Sequence, residues 1–179
     1  MITESDAEFT ALVQRQSRFV FKVAYAVLQN SHDAEDAVQE TFLKLFRNRG
    51  WEQADNERAF LARVAWRTAV DLRRQAGSVG TGSDPAALGE NQASMEPGPD
   101  HAFEAANQQA VVHAMIDALS EELRIPLVLS SFEDLNSREI GEILGIPEGT
   151  VRTRLQRARL LLRQKLASLQ VRNQEGRYA

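Results

Sequence analysis

The chain is predicted to be all-α: two small helical domains joined by a flexible linker, the C-terminal one with a helix-turn-helix. Three observations predict this. Apolar residues recur at helical spacing on both sides of residues 75–100, with no sustained alternation of β-branched residues that would mark a strand. Residues 75–100 hold five of the ten glycines, three of the five prolines and no aromatic residue, too little apolar surface to order so long a segment. Residues 135–162 carry the punctuation of two helices around a tight turn. The chain therefore divides into 1–75, a linker at 76–100, and 101–179.

Helices are expected near 5–29, 32–48 and 56–74 in the first part. Helix 32–48 has two faces. Ala34, Val38, Phe42 and Leu45 form a core stripe, while Asp36, Gln39, Glu40, Leu43 and Arg47 follow i, i+3, i+4, i+7, i+11 as a second, mostly polar one. A solvated surface with acids favoured at the helix start accounts equally well for that second face. Helix 56–74 is both basic and aromatic, with Arg58, Phe60, Arg63, Trp66, Arg67, Arg73 and Arg74. Arginines interleaved with aromatic rings suit a phosphate backbone carrying unstacked bases. Core packing by Phe60, Val64 and Trp66 with solubilising arginines is the plainer alternative.

In the second part, helices are expected near 101–118, 121–132, 136–144 and 148–168. Pro126 falls inside the second of these and should kink it or delay its start. Asn136 and Glu139 have capping-box spacing, and Ile140, Ile143 and Leu144 form one apolar face. Gly145 suits the left-handed residue that ends a helix, and Pro147 suits the first turn of the next. Val151, Leu155, Ala158, Leu162 and Leu166 then make a stripe. Opposite it stand Gly149, Arg152, Thr153 and Gln156, able to line a major groove.

Net charge is −4 over 179 residues, but it is unevenly spread. Residues 1–74 hold 11 basic and 11 acidic side chains, residues 75–137 hold 1 and 10, and residues 138–179 hold 9 and 4. A nucleic-acid footprint is local, so the basic C-terminal segment outweighs the acidic total. The acidic segment is also expected to fold against the basic helix-turn-helix and mask it in the free protein. With no cysteine, disulfides and thiolate metal sites are excluded, consistent with a cytoplasmic location. Residues 1–11 lack the basic start and apolar core of a signal peptide, and the apolar run Phe19–Leu28 is too short for membrane insertion.

The run Asp33-Ala34-Glu35-Asp36-Ala37-Val38-Gln39-Glu40-Thr41-Phe42 resembles the DAED-x-x-QE-x-F motif of bacterial RNA polymerase sigma factors of the extracytoplasmic-function group. Residues 60–65 and 71–74 resemble the stretch that follows it in that family. Residues 149–159 are similar to its C-terminal G-T-V-[KR]-S-R-L-x-R-A-R motif. The resemblance implies transcription initiation: the factor binds core RNA polymerase and directs it to promoter DNA. Asp33, Asp36, Gln39, Glu40 and Leu43 would dock on the clamp coiled coil of the polymerase. Trp51, Arg63, Trp66, Arg67 and Arg74 would hold the melted minus-10 strand. Arg152, Thr153, Gln156 and Arg157 would read the minus-35 element, with Arg138, Arg154 and Arg159 on phosphates. The second domain would also meet the polymerase flap, the linker would run near the RNA exit path, and an anti-sigma partner is usual.

The chain departs from the family pattern at six residues. Arg67 stands in place of a common asparagine and Phe60 in place of tryptophan. Trp51-Glu52-Gln53 replaces the usual start of the loop, and Ser120 replaces a proline but is itself a good helix cap. Minus-10 specificity is therefore not carried over. No catalytic residue, metal site or cofactor is expected. A ligand-sensing helix-turn-helix regulator that does not bind core polymerase is the main alternative, and helix 32–48 speaks against it. A carboxylate-metal enzyme using Asp33, Glu35, Asp36 and Glu40 lacks the Glu-x-x-His pairs it needs, because Gln29, Gly98 and Ala110 precede His32, His101 and His113 at that offset.

Overall fold

The computed structural model describes residues 4–79, 100–132 and 135–175, with side chains described for 6–77, 109–132 and 135–169. Seven α-helices account for nearly all of these residues: α1 (Glu4–Leu28), α2 (Ser31–Asn48), α3 (Glu57–Val79), α4 (Asp100–Asp117), α5 (Glu121–Ser130), α6 (Ser137–Leu144) and α7 (Glu148–Glu175). Among the described residues there is no strand. The fold is all-α, as the periodicity predicts. Residues 80–99, most of the predicted linker, lie outside the described residues.

Local chemistry sets the helix boundaries. The Asn30 side chain accepts a hydrogen bond from the Asp33 backbone N–H at 3.0 Å and starts α2. At the other end Arg49 turns left-handed (φ 46°) and returns its N–H to the Leu45 carbonyl at 2.8 Å. A single 3-10 turn, Gly50–Gln53, follows and was not expected from the sequence. Asn56 then accepts from the Ala59 N–H at 3.0 Å at the start of α3. Pro126 neither ends α5 nor delays it: the helix begins at Glu121, and the proline is fully buried within it. Its ring contributes to the core where an N–H would otherwise have bonded to Glu122.

α1 is the central element, packed on α2 and α3 along one side and on α5 along another. Its buried residues Leu12, Phe19, Val20, Val23, Ala24 and Val27 explain why the helix is apolar on more than one face. The main core runs from these residues through Ala34, Phe42, Leu45 and Leu61 to Ile125, Leu129, Leu135, Ile140, Ile143, Val151 and Leu155. The two halves therefore share one continuous core. A smaller cluster of Leu119, Leu123 and Ala158 lies beneath the C-terminal helices. Of the predicted α7 stripe, Val151, Leu155 and Ala158 are buried, but Leu166 lies past the end of the packing and is exposed.

Polar groups finish the joint between the halves. Arg124, on α5, is only 7% exposed. Its Nε donates to the Ala26 carbonyl at 2.9 Å, and its Nη1 donates to the Leu119 and Asp117 carbonyls at 2.8 and 3.3 Å. Burial depresses the Arg124 pKa, partly offset by the charges of Glu121 and Asp117. The Ala26 carbonyl belongs to the last turn of α1, which has no partners of its own helix to bond. A cation at that end also meets the helix dipole favourably. Arg73, on α3, reaches the neighbouring Val27 carbonyl at 3.4 Å.

Candidate nucleic-acid interface

The helix-turn-helix is built by α6 and α7. Asn136 accepts hydrogen bonds from the Arg138 and Glu139 backbone N–H groups at 3.0 Å, while Glu139 accepts from the Asn136 N–H at 2.8 Å. That is the expected capping box. Gly145 ends α6 with φ 68°. Gly141 matters for a different reason: a Cβ there would sit 2.7 Å from the Ile146 carbonyl oxygen. Only glycine lets the turn close this tightly, and the Ile146 N–H bonds back to the Gly141 carbonyl at 3.0 Å. Ile140, Ile143, Val151 and Leu155 are buried and hold α6 against α7.

With that face buried, α7 presents Arg152, Thr153, Gln156, Arg157 and Arg159 to solvent. Arg152 pairs with Glu148 one turn earlier, and the Thr153 hydroxyl donates to the Gly149 carbonyl at 3.0 Å. Arg154 sits lower, half-buried, with Glu122 of α5 at 3.8 Å. Gly149, Thr153 and Arg157 flank an open groove bounded by Glu122 and Pro147. Arg138, on α6, is well exposed and pairs with Glu142 at 3.3 Å. Six of the seven predicted minus-35 residues are thus exposed around one helix-turn-helix, and Arg154 lies at its edge.

On α3, Arg63, Arg67 and Arg74 follow i, i+4, i+11 and form one stripe. Arg67 and Arg74 are exposed, and Arg74 pairs with Asp71 at 3.3 Å. Arg63 is half-buried: its Nη2 lies 3.8 Å from Glu142, and its buried Nε has no hydrogen-bond partner. Trp66 is half-buried against the core. Trp51 is only 8% exposed, packed 6.2 Å from the Phe9 ring with its Nε1 unsatisfied. In this conformation its ring is a packing group.

On α2, Asp33, Asp36 and Gln39 are exposed, Glu40 is partly so, and Leu43 is 48% exposed. Asp36, Gln39, Glu40 and Leu43 line a groove with Lys44, Thr68 and Asp71, where Lys44 Nζ donates to the Thr68 hydroxyl at 3.1 Å. Phe46, one turn after Leu43, is 45% exposed beside Phe9 at 5.1 Å and was not singled out from the sequence. Two large apolar groups thus stand open on this mostly polar face. The i, i+3 spacing from Leu43 is the signal that could have found Phe46. Among the described residues no cluster of His, Cys, Asp and Glu is arranged to hold a metal.

Comparison with known proteins places this geometry. Residues 12–79 match sigma-70 region 2, and residues 109–162 match sigma-70 region 4. The RNA polymerase sigma-H factor of Pseudomonas aeruginosa is 30% identical over 158 residues, covering 84% of this chain and 82% of that protein. The chain belongs to the extracytoplasmic-function group of the sigma-70 family. The ECF RNA polymerase sigma factor SigE of Mycolicibacterium smegmatis is 34% identical over 156 residues, 87% of this chain, which spans 60% of that relative's length. In fold, this sigma factor resembles a Bartonella quintana sigma factor, RpoE, solved in complex with the anti-sigma factor NepR, with a TM-score of 0.66 at 20% identity over 89% of this chain and 97% of that one. It is a promoter-directing transcription initiation factor from a family of non-enzymatic factors. Among the described residues no helix is long and apolar enough to cross a membrane.

Proposed function

We propose that residues 1–75 bind core RNA polymerase and the minus-10 strand, and that residues 101–179 read the minus-35 element. The carrying observation is the exposed row of Arg152, Thr153, Gln156, Arg157 and Arg159 on a helix-turn-helix whose other face is fully packed. Arg152, Thr153, Gln156 and Arg157 read base edges, while Arg138, Arg154 and Arg159 hold phosphates. A bidentate arginine–guanine pair discriminates by about 1–3 kcal/mol, whereas a phosphate contact strengthens all sequences alike. Asp33, Asp36, Gln39, Glu40 and Leu43 meet the polymerase clamp, and the exposed Phe46 extends that surface. The second domain contacts the flap, and the chain acts in the cytoplasm without enzymatic activity of its own.

Strand opening on this reading is nearly balanced. Extruding a base costs a few kcal/mol, and stacking on a protein surface returns about 1–3 kcal/mol per base. Arg63, Trp66, Arg67 and Arg74 supply that surface, and Trp51 holds the preceding loop from inside against Phe9. An anti-sigma factor of the kind seen with the Bartonella protein is the natural antagonist. Run-off transcription with core polymerase on a promoter library tests the whole reading. Arg152→Ala should relax preference at one minus-35 position, and Arg159→Ala should weaken all promoters evenly. Identical profiles for the two variants would refute the division into base and phosphate contacts.

A further inference from the structure

The loop that leads into α3 is tied to α1 at its entry, middle and exit. At the entry Arg49, the left-handed residue that ends α2, places its Nη2 3.8 Å from Asp6. In the middle the Trp51 ring packs 6.2 Å from that of Phe9. At the exit Glu57 accepts hydrogen bonds from Arg15 Nη2 at 2.6 Å and from Gln16 Nε2 at 2.8 Å. Asp6, Phe9 and Gln16 fall on one side of α1, so a single helix face is the base for the whole loop. From the other side Phe60 of α3 closes on the turn, where a Cβ on Gly50 would lie 3.0 Å from its ring. Gln53 and Asp55 are left exposed at the tip.

These ties are not equivalent. The Arg49–Asp6 pair is long and open to water, and such pairs contribute little. The exit tie is different because Gln16 is only 6% exposed. Its buried amide needs an acceptor, and Glu57 supplies one while Arg15 forks onto both carboxylate oxygens, at 3.4 and 2.6 Å. Donors on successive residues of α1 thus fix the carboxylate in direction as well as distance. The neighbouring Asn56, which caps α3 through the Ala59 N–H, is fixed with it.

We propose that Glu57 is a positioning residue for minus-10 capture: held by Arg15 and Gln16, it sets the loop and the first turn of α3 on α1 in the form that receives the melted strand. This deepens, and rests on, the reading of α3 and its preceding loop as the strand-binding surface. Glu57 acts without touching the strand. A loop already ordered loses less freedom when a strand binds, so more of the contact energy appears as affinity. The sign of the effect separates this role from plain electrostatics. Removing a carboxylate near a polyanion should strengthen its binding, whereas removing a positioning carboxylate should weaken it.

The test uses core polymerase reconstituted with the full-length chain, and one promoter selected from the library. The probes are a labelled single strand carrying its minus-10 sequence and a labelled duplex that carries the minus-35 element and ends upstream of the minus-10. Glu57→Ala should weaken single-strand binding roughly five- to tenfold. Arg15→Ala should weaken it comparably, and the double variant no more than the worse single one. Glu57→Gln keeps an acceptor for Gln16 and should restore part of the affinity. Duplex binding and assembly with core polymerase should change less than about twofold in every variant. Stronger single-strand binding by Glu57→Ala overturns the proposal. So do additive losses in the double variant, which would put Arg15 on the strand itself, and parallel losses of duplex and core binding, which would mark a general defect of folding. A parent that fails to bind the single strand refutes the strand-binding reading and the proposal together. Variants that match a parent which does bind it refute the proposal alone.

Discussion

Arg124 shows how a single side chain joins the halves. Its guanidinium is removed from water, and three backbone carbonyls, from Ala26, Leu119 and Asp117, take the place of that water. Truncation leaves those acceptors buried and unpaired, so Arg124→Met should destabilise the protein by about 2–4 kcal/mol. Arg124→Lys should recover little of it, since an ammonium cannot reproduce the fork. Urea unfolding of both variants measures this, and equal stability of the lysine variant and the parent would refute the fork as the cause. Glu57 supplies a pH-dependent term. Burial pushes its pKa up, but hydrogen bonds from Arg15 (2.6 Å) and Gln16 (2.8 Å), with the charges of Arg15 and Arg58, outweigh burial and hold it below the usual value. A carboxylate depressed in the folded state stabilises fully above its unfolded value and loses that contribution as pH falls through the folded one. The stability difference between the parent and Glu57→Gln should therefore be present at neutral pH and close below about pH 4.5. A difference that stays constant down to pH 3 would mean that the contacts contribute through shape alone. Nothing in the sequence announces either residue, because the Arg124–Ala26 contact and the Glu57 contacts with Arg15 and Gln16 each link positions more than forty residues apart.

Among the elements, the helix-turn-helix is the most legible. Asn136, Glu139 and Gly145 declare its boundaries by local chemistry that operates within a few residues. Gly141 was not legible in this way, since its need for a missing Cβ arises only when the Ile146 carbonyl folds back to within 2.7 Å of that position. Gly141→Ala should push the turn apart, destabilise the protein by about 1–3 kcal/mol and reduce duplex binding. Asn136→Ala should reduce stability by about 1 kcal/mol while leaving the α6–α7 angle intact. Thermal unfolding alongside promoter binding separates the two, and full binding by the Gly141 variant would show that the turn tolerates the shift. Pro126 does not delay the start of α5, because propensity counts only the lost N–H and not the burial its ring gains in the core. The inward packing of Trp51 onto Phe9 was not legible either, because it depends on how the loop folds against α1. The faces of α2 and α3 followed from spacing alone, because the 3.6-residue period fixes which side chains share a face.

At the scale of the whole molecule, the edge-to-face contact of Phe19 with Phe132 lies in the seam itself. Such pairs contribute about 0.5–1.5 kcal/mol beyond burial. Phe132→Ala should loosen the joint, seen as a larger radius of gyration in solution scattering. Scattering identical to that of the parent would show that Arg124 and the apolar core hold the joint without that ring. The sequence by itself determined the helices, their order, the family motifs and the arginine rows, since each depends on spacing or on chemistry within a few residues. Only the tertiary structure decided which surfaces meet: that one core runs through both halves, that Trp51 packs inward, and that Glu121, Glu139 and Glu142 lie against Arg73, Asn56 and Arg63. Net charge sums over a segment without direction, and a carboxylate's partner depends on where packing points it.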